Sequence, residues 1–281
     1  MLHLIPRAAA ALAPRLAAPP FGPRGSVSLH PRPGLRSAGT EEAAMDRLAV
    51  IGGAGGIGRA LCARARSQGT DVVVMDLAAS LAAQPDTGER REIDLADPAM
   101  IARAFDGLGP VDGVVNLAGY MSPLAPLAET PAETLRAVLE TNLAGAATVS
   151  RAARPWIRPG GALVHVASGL AHNVRPGFGP YAMAKAGMIA LTKTLALEWA
   201  PAVRVNAVAP GAVDTAFLRG GTGRAAADAP TVDTSAYAAA TPMGRMAVPE
   251  DVVGPILFLL GPDAGFVTGQ VVWVNGGNYM P

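Results

Sequence analysis

Lysine, cysteine and long apolar runs are all scarce in this sequence of 281 residues. Lys185 and Lys193 are the only lysines among 23 basic residues. The single cysteine, Cys62, excludes a disulfide framework and a site with several cysteine ligands, and we expect no metal site. Since no run of 18 or more residues is free of charge, proline and glycine, we expect no transmembrane helix and no membrane partner. The net charge of +1 provides no electrostatic basis for binding nucleic acid.

Residues 1–44 differ in composition from the rest of the chain. Arginine and proline are scattered among alanine, and no acidic residue precedes Glu41. Three interpretations compete: a mitochondrial transit peptide, a disordered extension, or a start placed upstream of a true start at Met45. The last two are favoured, because the bias toward alanine, arginine and proline runs through the whole chain. We therefore expect a disordered or non-native extension over 1–44, one domain over 45–281 and a cytoplasmic location, with the mitochondrial matrix as the alternative.

From Met45 onward, short apolar runs alternate with longer helical patterns. The apolar residues in most of the runs are consecutive and β-branched, which is typical of parallel strands buried on both faces. The predicted strands span residues 47–51, 71–76, 91–94, 113–116, 162–168, 203–208 and 271–274. The predicted helices span residues 58–68, 99–105, 131–154, 181–199 and 249–260. This alternation predicts an α/β fold with a doubly wound parallel sheet. Residues 214–245 lack a clear period, so we predict a loop or lid there.

A glycine-rich loop follows the first predicted strand and opens a helix. Gly52, Gly56 and Gly58 would let the backbone turn tightly and approach a pyrophosphate, while the helix N-terminus supplies N–H groups. Asp76 ends the second strand, where a carboxylate can accept hydrogen bonds from both ribose hydroxyls of an adenosine. It would repel a 2′-phosphate and so favours NAD over NADP. The alternatives are a glycine turn without a ligand and a strand-end cap at Asp76.

Four polar residues are candidates for the chemical site. Tyr181 and Lys185 lie four residues apart on a predicted helix, so the phenol and the ammonium share one face. A phenol with a pKa of about 10 is a poor base until a nearby cation stabilises its phenolate. Ser168 ends the fifth strand, at the edge where such sheets bind ligands. Asn142 lies within the helix predicted over 131–154, where its low helix propensity suggests an exposed face or a specific hydrogen bond. Chance spacing on a helix and a turn-forming serine are the alternatives.

The order and spacing of these motifs resemble the short-chain dehydrogenase/reductase family, single-domain branch, over residues 45–281. The motifs that carry the resemblance are the glycine-rich loop, Asn116-Leu117-Ala118-Gly119, Asn142, Ser168, Tyr181-x3-Lys185 and Pro210-Gly211. The resemblance implies a seven-stranded, mostly parallel Rossmann sheet, a nicotinamide cofactor and a homotetramer or homodimer. Ile51 departs from the family pattern, in which threonine is common, and Asn275 stands where aspartate is more usual.

The resemblance also implies roles for individual residues. Tyr181 would be the general acid/base, Ser168 would orient the substrate, and Lys185 would lower the phenol pKa and bind the nicotinamide ribose. Asn142 would hold a water in the proton relay. The cofactor-binding residues implied in the same way are Gly52, Gly56, Ile57, Gly58, Asp76, Asp94, Leu95, Asn116, Ala118, Gly119, Tyr181, Lys185, Pro210, Gly211, Val213 and Thr215.

We therefore expect an NAD-dependent oxidoreductase that interconverts a secondary alcohol and a ketone. The alternatives are an NADP-linked 3-oxoacyl carrier-protein reductase and, from another class, a non-catalytic nicotinamide-binding sensor or scaffold. Segments 120–124, 169–178 and 214–245 are the candidate pocket walls, and their apolar residues suggest an alicyclic or aromatic alcohol. His172 and Asn173 are further pocket candidates, whereas we expect His165 to be a buried structural histidine.

Overall fold

The computed structural model of the protein describes residues 45–84, 88–219 and 232–281. Residues 1–44, for which we expected a disordered or non-native extension, lie outside the described part of the chain. Residues 220–231 of the lid predicted over 214–245 also lie outside it. The described residues form one compact unit. Among the described residues, no helix combines the length and the hydropathy that a membrane span requires.

A parallel sheet of seven strands forms the centre of the described chain. Its spatial order is β3-β2-β1-β4-β5-β6-β7, and every neighbouring pair is parallel. The strands are β1 (Arg47–Ile51), β2 (Asp71–Asp76), β3 (Arg90–Glu92), β4 (Val111–Asn116), β5 (Ile157–Val166), β6 (Arg204–Pro210) and β7 (Val271–Val274). The predicted doubly wound sheet is therefore confirmed, with β3 shorter than the predicted 91–94 and β4 and β5 beginning earlier than expected.

Eight α-helices connect the strands in the described residues. They are α1 (Gly56–Ser67), α2 (Ala78–Ala83), α3 (Pro98–Phe105), α4 (Ala132–Leu139), α5 (Gly145–Ala153), α6 (Gly179–Trp199), α7 (Thr234–Ala240) and α8 (Pro249–Leu260). The sequence patterns did not predict α2, and α7 lies where only a loop or lid was expected. Both are short, of 6 and 7 residues, so neither presents a long enough apolar period to recognise.

Alternate residues of the central strands supply the two layers of the core. Leu48 and Val50 pack with α1 and α8 on one face of the sheet, while Ala49 and Ile51 pack with α3, α5 and α6 on the other. Because both faces are covered, apolar residues are favoured at every strand position, which explains the consecutive runs in the sequence. Cys62 is one of the small buried residues of α1, as expected.

The strand order reverses between β1 and β4. The chain leaves β1 toward β2 on one side and later returns to place β4 on the other side of β1. At such a point, the connections after two adjacent strands diverge and leave a crevice at their carboxyl ends. The glycine-rich loop after β1 and residues 117–119 after β4 lie at this crevice.

Candidate active site

One cavity of about 440 Å³ lies at the carboxyl ends of the strands. This volume is within the range of small-molecule sites, about 300–1,000 Å³. Its wall combines the glycine-rich loop, Asp76, Ser168, Tyr181 and Lys185. The predicted cofactor end and the predicted chemical end therefore open into one continuous space.

The glycine-rich loop fits closely enough to exclude side chains. Gly52 has φ of 80°, a left-handed conformation that favours glycine, and its N–H donates to the Met75 carbonyl at 2.7 Å. A Cβ atom at Gly58 would lie 2.2 Å from the Gly52 carbonyl oxygen, and one at Gly56 would lie 2.5 Å from the Thr215 Cγ2. The absence of side chains at Gly52, Gly56 and Gly58 thus lets the backbone at the start of α1 be approached closely, which suits a pyrophosphate.

Asp76 is held firmly at the end of β2. Its Oδ2 accepts from the Ala54 N–H at 3.0 Å, and its Oδ1 accepts from the Leu77 N–H at 2.8 Å. These contacts orient the Asp76 carboxylate, which lines the cavity. Asp94 and Leu95, which follow β3, line the same end. The residues present therefore fit the adenosine half of a nicotinamide cofactor.

Tyr181 and Lys185 are brought together on the first turns of α6. The Lys185 Nζ lies 5.5 Å from the centroid of the Tyr181 ring and donates to the Val166 carbonyl at 2.8 Å. Both side chains are buried, and both line the cavity. Ser168, two residues beyond the end of β5, forms a hydrogen bond with Tyr181. The end of β5 and the start of α6 thereby place a hydroxyl, a phenol and an ammonium at one wall.

Burial dominates the electrostatics of this trio. It raises the pKa of Tyr181 above its ordinary value of 10, while the hydrogen bond from Ser168 acts in the opposite direction. Burial also lowers the pKa of Lys185 to about 8. The expected lowering of the phenol pKa by Lys185 stays a prediction, and the cost of desolvating a phenolate acts against it in this structure. Burial therefore opposes a phenolate at Tyr181 in this structure.

Asn142 does not line the cavity. It lies in a π-helical turn, Glu140–Ala144, that joins α4 to α5 within the helix predicted over 131–154. Its Oδ1 accepts from the Tyr120 N–H at 3.1 Å, and its Nδ2 donates to the carbonyls of Tyr120 and Val138 at 2.9 and 3.0 Å. The side chain thus fixes the backbone that follows β4, beside Gly119, where a Cβ atom would lie 2.3 Å from the Asn142 Oδ1. The water-holding role stays a prediction.

Asn116 is the other predicted site residue outside the cavity wall. Its fully buried Oδ1 accepts from the Ala118 N–H at 3.1 Å and so shapes the turn that brings Ala118 and Gly119 to the cavity. The predicted residues that do line it are Gly52, Gly56, Ile57, Gly58, Asp76, Asp94, Leu95, Ala118, Gly119, Ser168, Tyr181, Lys185, Pro210, Gly211, Val213 and Thr215.

Several lining residues were not identified from the sequence. Tyr237, on α7, accepts a hydrogen bond from the Ala212 N–H at 3.0 Å and thus fixes the segment after β6. Asn278 and Tyr279, near the C-terminus, reach the cavity from the far end of the chain. Of the two pocket candidates after Ser168, Asn173 lines the cavity, whereas His172 lies outside its wall and contacts the Tyr279 hydroxyl. No local motif marks Tyr237 or the C-terminal residues, because only the tertiary fold brings them to the site.

Comparison with known proteins places this chain in a family. The family model described as enoyl-(acyl carrier protein) reductase matches residues 52–278. A cis-4-hydroxycyclohexanecarboxylate dehydrogenase of Sinomonas cyclohexanicum is 36% identical over 251 residues, covering 84% of this chain and 98% of that protein. An uncharacterized short-chain type dehydrogenase/reductase of Sinorhizobium fredii is 35% identical over 242 residues, covering 82% of this chain and 43% of that protein.

A solved structure agrees with the sequence relatives. The ligand-free aldohexose dehydrogenase of Thermoplasma acidophilum superposes with a TM-score of 0.75 and 26% identity, covering 85% of this chain and 97% of that one. Fold and sequence similarity therefore agree over the same part of the chain. The protein belongs to the short-chain dehydrogenase/reductase family, whose members are oxidoreductases that use a nicotinamide cofactor.

Proposed function

We propose that this protein is an NAD-dependent oxidoreductase that interconverts a secondary alcohol and a ketone. The observation that supports the proposal is the placement of Ser168, Tyr181 and Lys185 in the wall of the cavity that also contains Asp76 and the glycine-rich loop. Proton-transfer groups and a cradle for a dinucleotide thus meet in one site, as a hydride-transfer reaction requires.

The proton and the hydride leave the alcohol by different routes. A nicotinamide cofactor, when bound, exchanges the hydride with the reacting carbon and, in its oxidised form, adds a positive charge to the site. During oxidation, the Tyr181 phenolate removes the hydroxyl proton; during reduction, the Tyr181 phenol returns a proton to the carbonyl oxygen. Ser168 hydrogen-bonds to the substrate oxygen and orients it, while Lys185 stabilises the phenolate.

The replacement Tyr181→Phe tests this mechanism. It removes the proton carrier and conserves most of the buried ring, so turnover should fall by about 10²–10⁴-fold, the usual contribution of a general acid/base. Rates should be followed at the NADH absorbance with a panel of cyclic and acyclic secondary alcohols. Cofactor affinity, measured by fluorescence titration, should change little, because the phenol is one contact among many. Near wild-type turnover in Tyr181→Phe would refute the proposed role.

The preference for NAD depends on Asp76. A 2′-phosphate would bring a second negative charge against a carboxylate fixed by two backbone N–H groups. We expect kcat/KM to be higher with NAD than with NADP. Asp76→Asn, which removes the charge and keeps one acceptor oxygen, should shift the ratio toward NADP by about tenfold, the factor that corresponds to 1.4 kcal/mol. Unfolding measurements on the variant would control for the loss of the Ala54 or Leu77 contact. A wild-type preference for NADP would contradict this part of the proposal and favour the carrier-protein reductase alternative.

The substrate is proposed to be an alicyclic secondary alcohol. Apolar side chains dominate the cavity wall beyond the cofactor end, including Met121, Leu124, Leu170, Phe178 and Phe217. The Sinomonas relative, by its name, oxidises a hydroxylated cyclohexane that carries a carboxylate. The panel should therefore include cyclohexanol and the 4-hydroxycyclohexanecarboxylates. The expected homotetramer or homodimer and the cytoplasmic location belong to the same proposal, and light scattering on the purified protein tests the oligomeric state.

A further inference from the structure

A cation of unassigned role lies in the cavity wall. Among the described lining residues, four are charged: Asp76, Asp94, Arg175 and Lys185. Asp76 and Asp94 follow β2 and β3 at the adenosine end, and Lys185 lies beside Tyr181. Arg175 lies instead on the loop that connects Ser168 to Tyr181. The proposed reaction uses the other three charged residues and gives Arg175 no role.

The guanidinium of Arg175 is oriented and remains unneutralised. Its Nη2 donates to the Asn278 Oδ1 at 3.3 Å, and Arg175 has no acidic partner within the described part of the chain. A guanidinium has five N–H donors, so one bond to a neutral amide leaves its charge and most of its donors free. Its side chain is exposed, so that a ligand can reach it.

The C-terminal segment fixes this arrangement. The Asn278 Nδ2 donates to the Thr241 Oγ1 at 3.2 Å, so its Oδ1 is turned toward Arg175. The next residue, Tyr279, contacts His172 through its hydroxyl group, which joins the segment a second time to the loop after Ser168. One hydrogen bond thus joins the guanidinium to a C-terminal segment that contacts the loop after Ser168 a second time through Tyr279.

The cavity wall to which Arg175 belongs is rich in apolar side chains. Phe178 lies on the same loop as Arg175, and Leu124 lies on the segment that this loop packs against; both residues line the cavity. The packing is close, since a Cβ atom at Gly177 would lie 3.4 Å from the Leu124 Cβ. No hydrogen bond joins Arg175 to Ser168 or Tyr181 among the described contacts. A ligand that contacts Arg175 as well as Ser168 and Tyr181 would carry an anionic group and a reacting hydroxyl, with apolar atoms between them that pack against this wall.

We propose that Arg175 binds a carboxylate of the substrate, so that the protein acts on alicyclic hydroxy acids whose hydroxyl and carboxylate lie at opposite ends of an apolar ring. This inference rests on the proposed function for the identity of the reacting end. Carboxylate and guanidinium form a charge-assisted pair with matching planar geometry. A carboxylate is favoured over a phosphate because a single arginine, supported by a neutral amide, meets one negative charge.

Binding of an unreactive analogue provides a test that does not depend on turnover. Cyclohexanecarboxylate and cyclohexanecarboxamide should be titrated calorimetrically into the NAD-saturated protein. The wild type should bind the carboxylate about tenfold more tightly than the amide, a factor expected for one charge-assisted contact at a partly solvated site. In Arg175→Gln, this ratio should fall to about one. Arg175→Lys should retain part of the preference, because the charge remains and the planar geometry is lost.

Two further variants distinguish recognition from general disturbance. Asn278→Asp would place a carboxylate against the guanidinium, so it should abolish the preference as Arg175→Gln does, although Arg175 is intact. Arg64→Gln removes an exposed arginine of α1 outside the cavity and should keep the wild-type ratio. Equal wild-type affinities for the acid and the amide, or a preference that persists in Arg175→Gln, would overturn the proposal. Inorganic phosphate that binds more tightly than the carboxylate, and only when Arg175 is present, would also overturn it.

The kinetic experiment separates this inference from the proposed function. With 4-hydroxycyclohexanecarboxylate and its amide as substrates, the acid-to-amide ratio of kcat/KM should fall in Arg175→Gln mainly through KM. Turnover of both compounds at equal efficiency would refute the role of Arg175 and leave the NAD-dependent oxidoreductase intact. Conversely, selective binding of the carboxylate without turnover of any alcohol in the panel would support the role of Arg175 and refute the proposed function.

Discussion

His165 should make the protein unusually sensitive to mild acid. The side chain is fully buried on β5, between Ser150 of α5 at 3.0 Å from its Nε2 and Thr192 of α6 at 2.9 Å from its Nδ1. Burial, and secondarily the charge of Lys185, lower the pKa of His165 from 6.5 to about 3. The neutral imidazole has one donor and one acceptor, so one hydroxyl must accept from the ring and the other must donate to it.

The sign and size of the effect follow from proton linkage. Between pH 6.5 and 3 the unfolded chain binds a proton at this histidine and the folded protein does not. The free energy of unfolding is therefore unaffected by His165 above pH 6.5 and falls as the pH decreases below it. At about 1.4 kcal/mol per pH unit, the loss approaches roughly 2 kcal/mol by pH 5, with a ceiling of about 5 kcal/mol.

His165→Leu tests this linkage. The variant removes the titrating ring and leaves both hydroxyls hydrogen-bonded, because Ser150 can donate to the Ala146 carbonyl and Thr192 to the Met188 carbonyl, each at 2.8 Å. Urea unfolding should be followed by tryptophan fluorescence at pH 7, 6 and 5 and at one protein concentration. The wild type should lose about 1–1.4 kcal/mol more per pH unit than the variant between pH 6 and 5.

A matched control completes the experiment. His172→Gln removes an exposed histidine and controls for the loss of such a side chain. Parallel pH dependence of the wild type and His165→Leu would refute the reasoning, since no other change in the variant alters proton uptake at this site. A variant that is less stable at pH 7 remains informative, because the comparison is between slopes and not between absolute free energies.

Three further predictions use the same kind of comparison. Gly58→Ala should lose cofactor binding and about 1–3 kcal/mol of stability, because the added Cβ would lie 2.2 Å from the Gly52 carbonyl oxygen. Gly254→Ala, on α8 with open space around the added atom, should instead gain about 0.5–1 kcal/mol of stability. Thermal unfolding measures the stability of both variants, and NAD titration measures their cofactor affinity. Lys185→Arg should lose turnover because a planar guanidinium replaces a buried ammonium, while Lys193→Arg, at an exposed position of the same helix, should retain wild-type kcat and KM. In oxidation, kcat/KM should rise with pH above neutrality, because burial raises the pKa of Tyr181 and the phenolate is the reactive form; a flat profile would contradict this role.

The strands were more predictable than the short helices. A parallel strand covered on both faces requires apolar residues at every position, so the runs at β1 and β2 are visible without knowledge of the fold. The helix after Asp76, α2, has only six residues and α7 only seven, and tertiary contacts such as that of Tyr237 with Ala212 determine their positions. The π-helical turn at Asn142 also escaped prediction, because one extra residue per turn leaves no separate pattern in the sequence.

The site residues also differ in how far the sequence predicts their positions. Ser168, Tyr181 and Lys185 share a short stretch of chain, so their proximity follows from strand and helix geometry alone. Arg175 lies within that stretch and within a segment expected to form the pocket, yet its partner Asn278 is 103 residues away. The raised pKa of Tyr181 could not be predicted either. The spacing of Tyr181 and Lys185 indicates a nearby ammonium, but the burial that raises the phenol pKa depends on the tertiary fold.

The scarcity of lysine can now be related to the packing of α6. Tyr181, Lys185, Met188 and Thr192 follow one another at intervals of four, three and four residues, so they form a single buried stripe that faces the sheet. The phenol and the ammonium occupy the end of this stripe at the cavity, and Thr192 anchors the other end to His165. Lys185 fits here because its compact ammonium can donate to the Val166 carbonyl while burial lowers its pKa only to about 8, so that it still carries a proton at neutral pH. The charge of Lys185 also helps to keep His165 neutral, and the neutral histidine contacts the helix that carries both Tyr181 and Lys185, the two residues to which we assign roles in proton transfer.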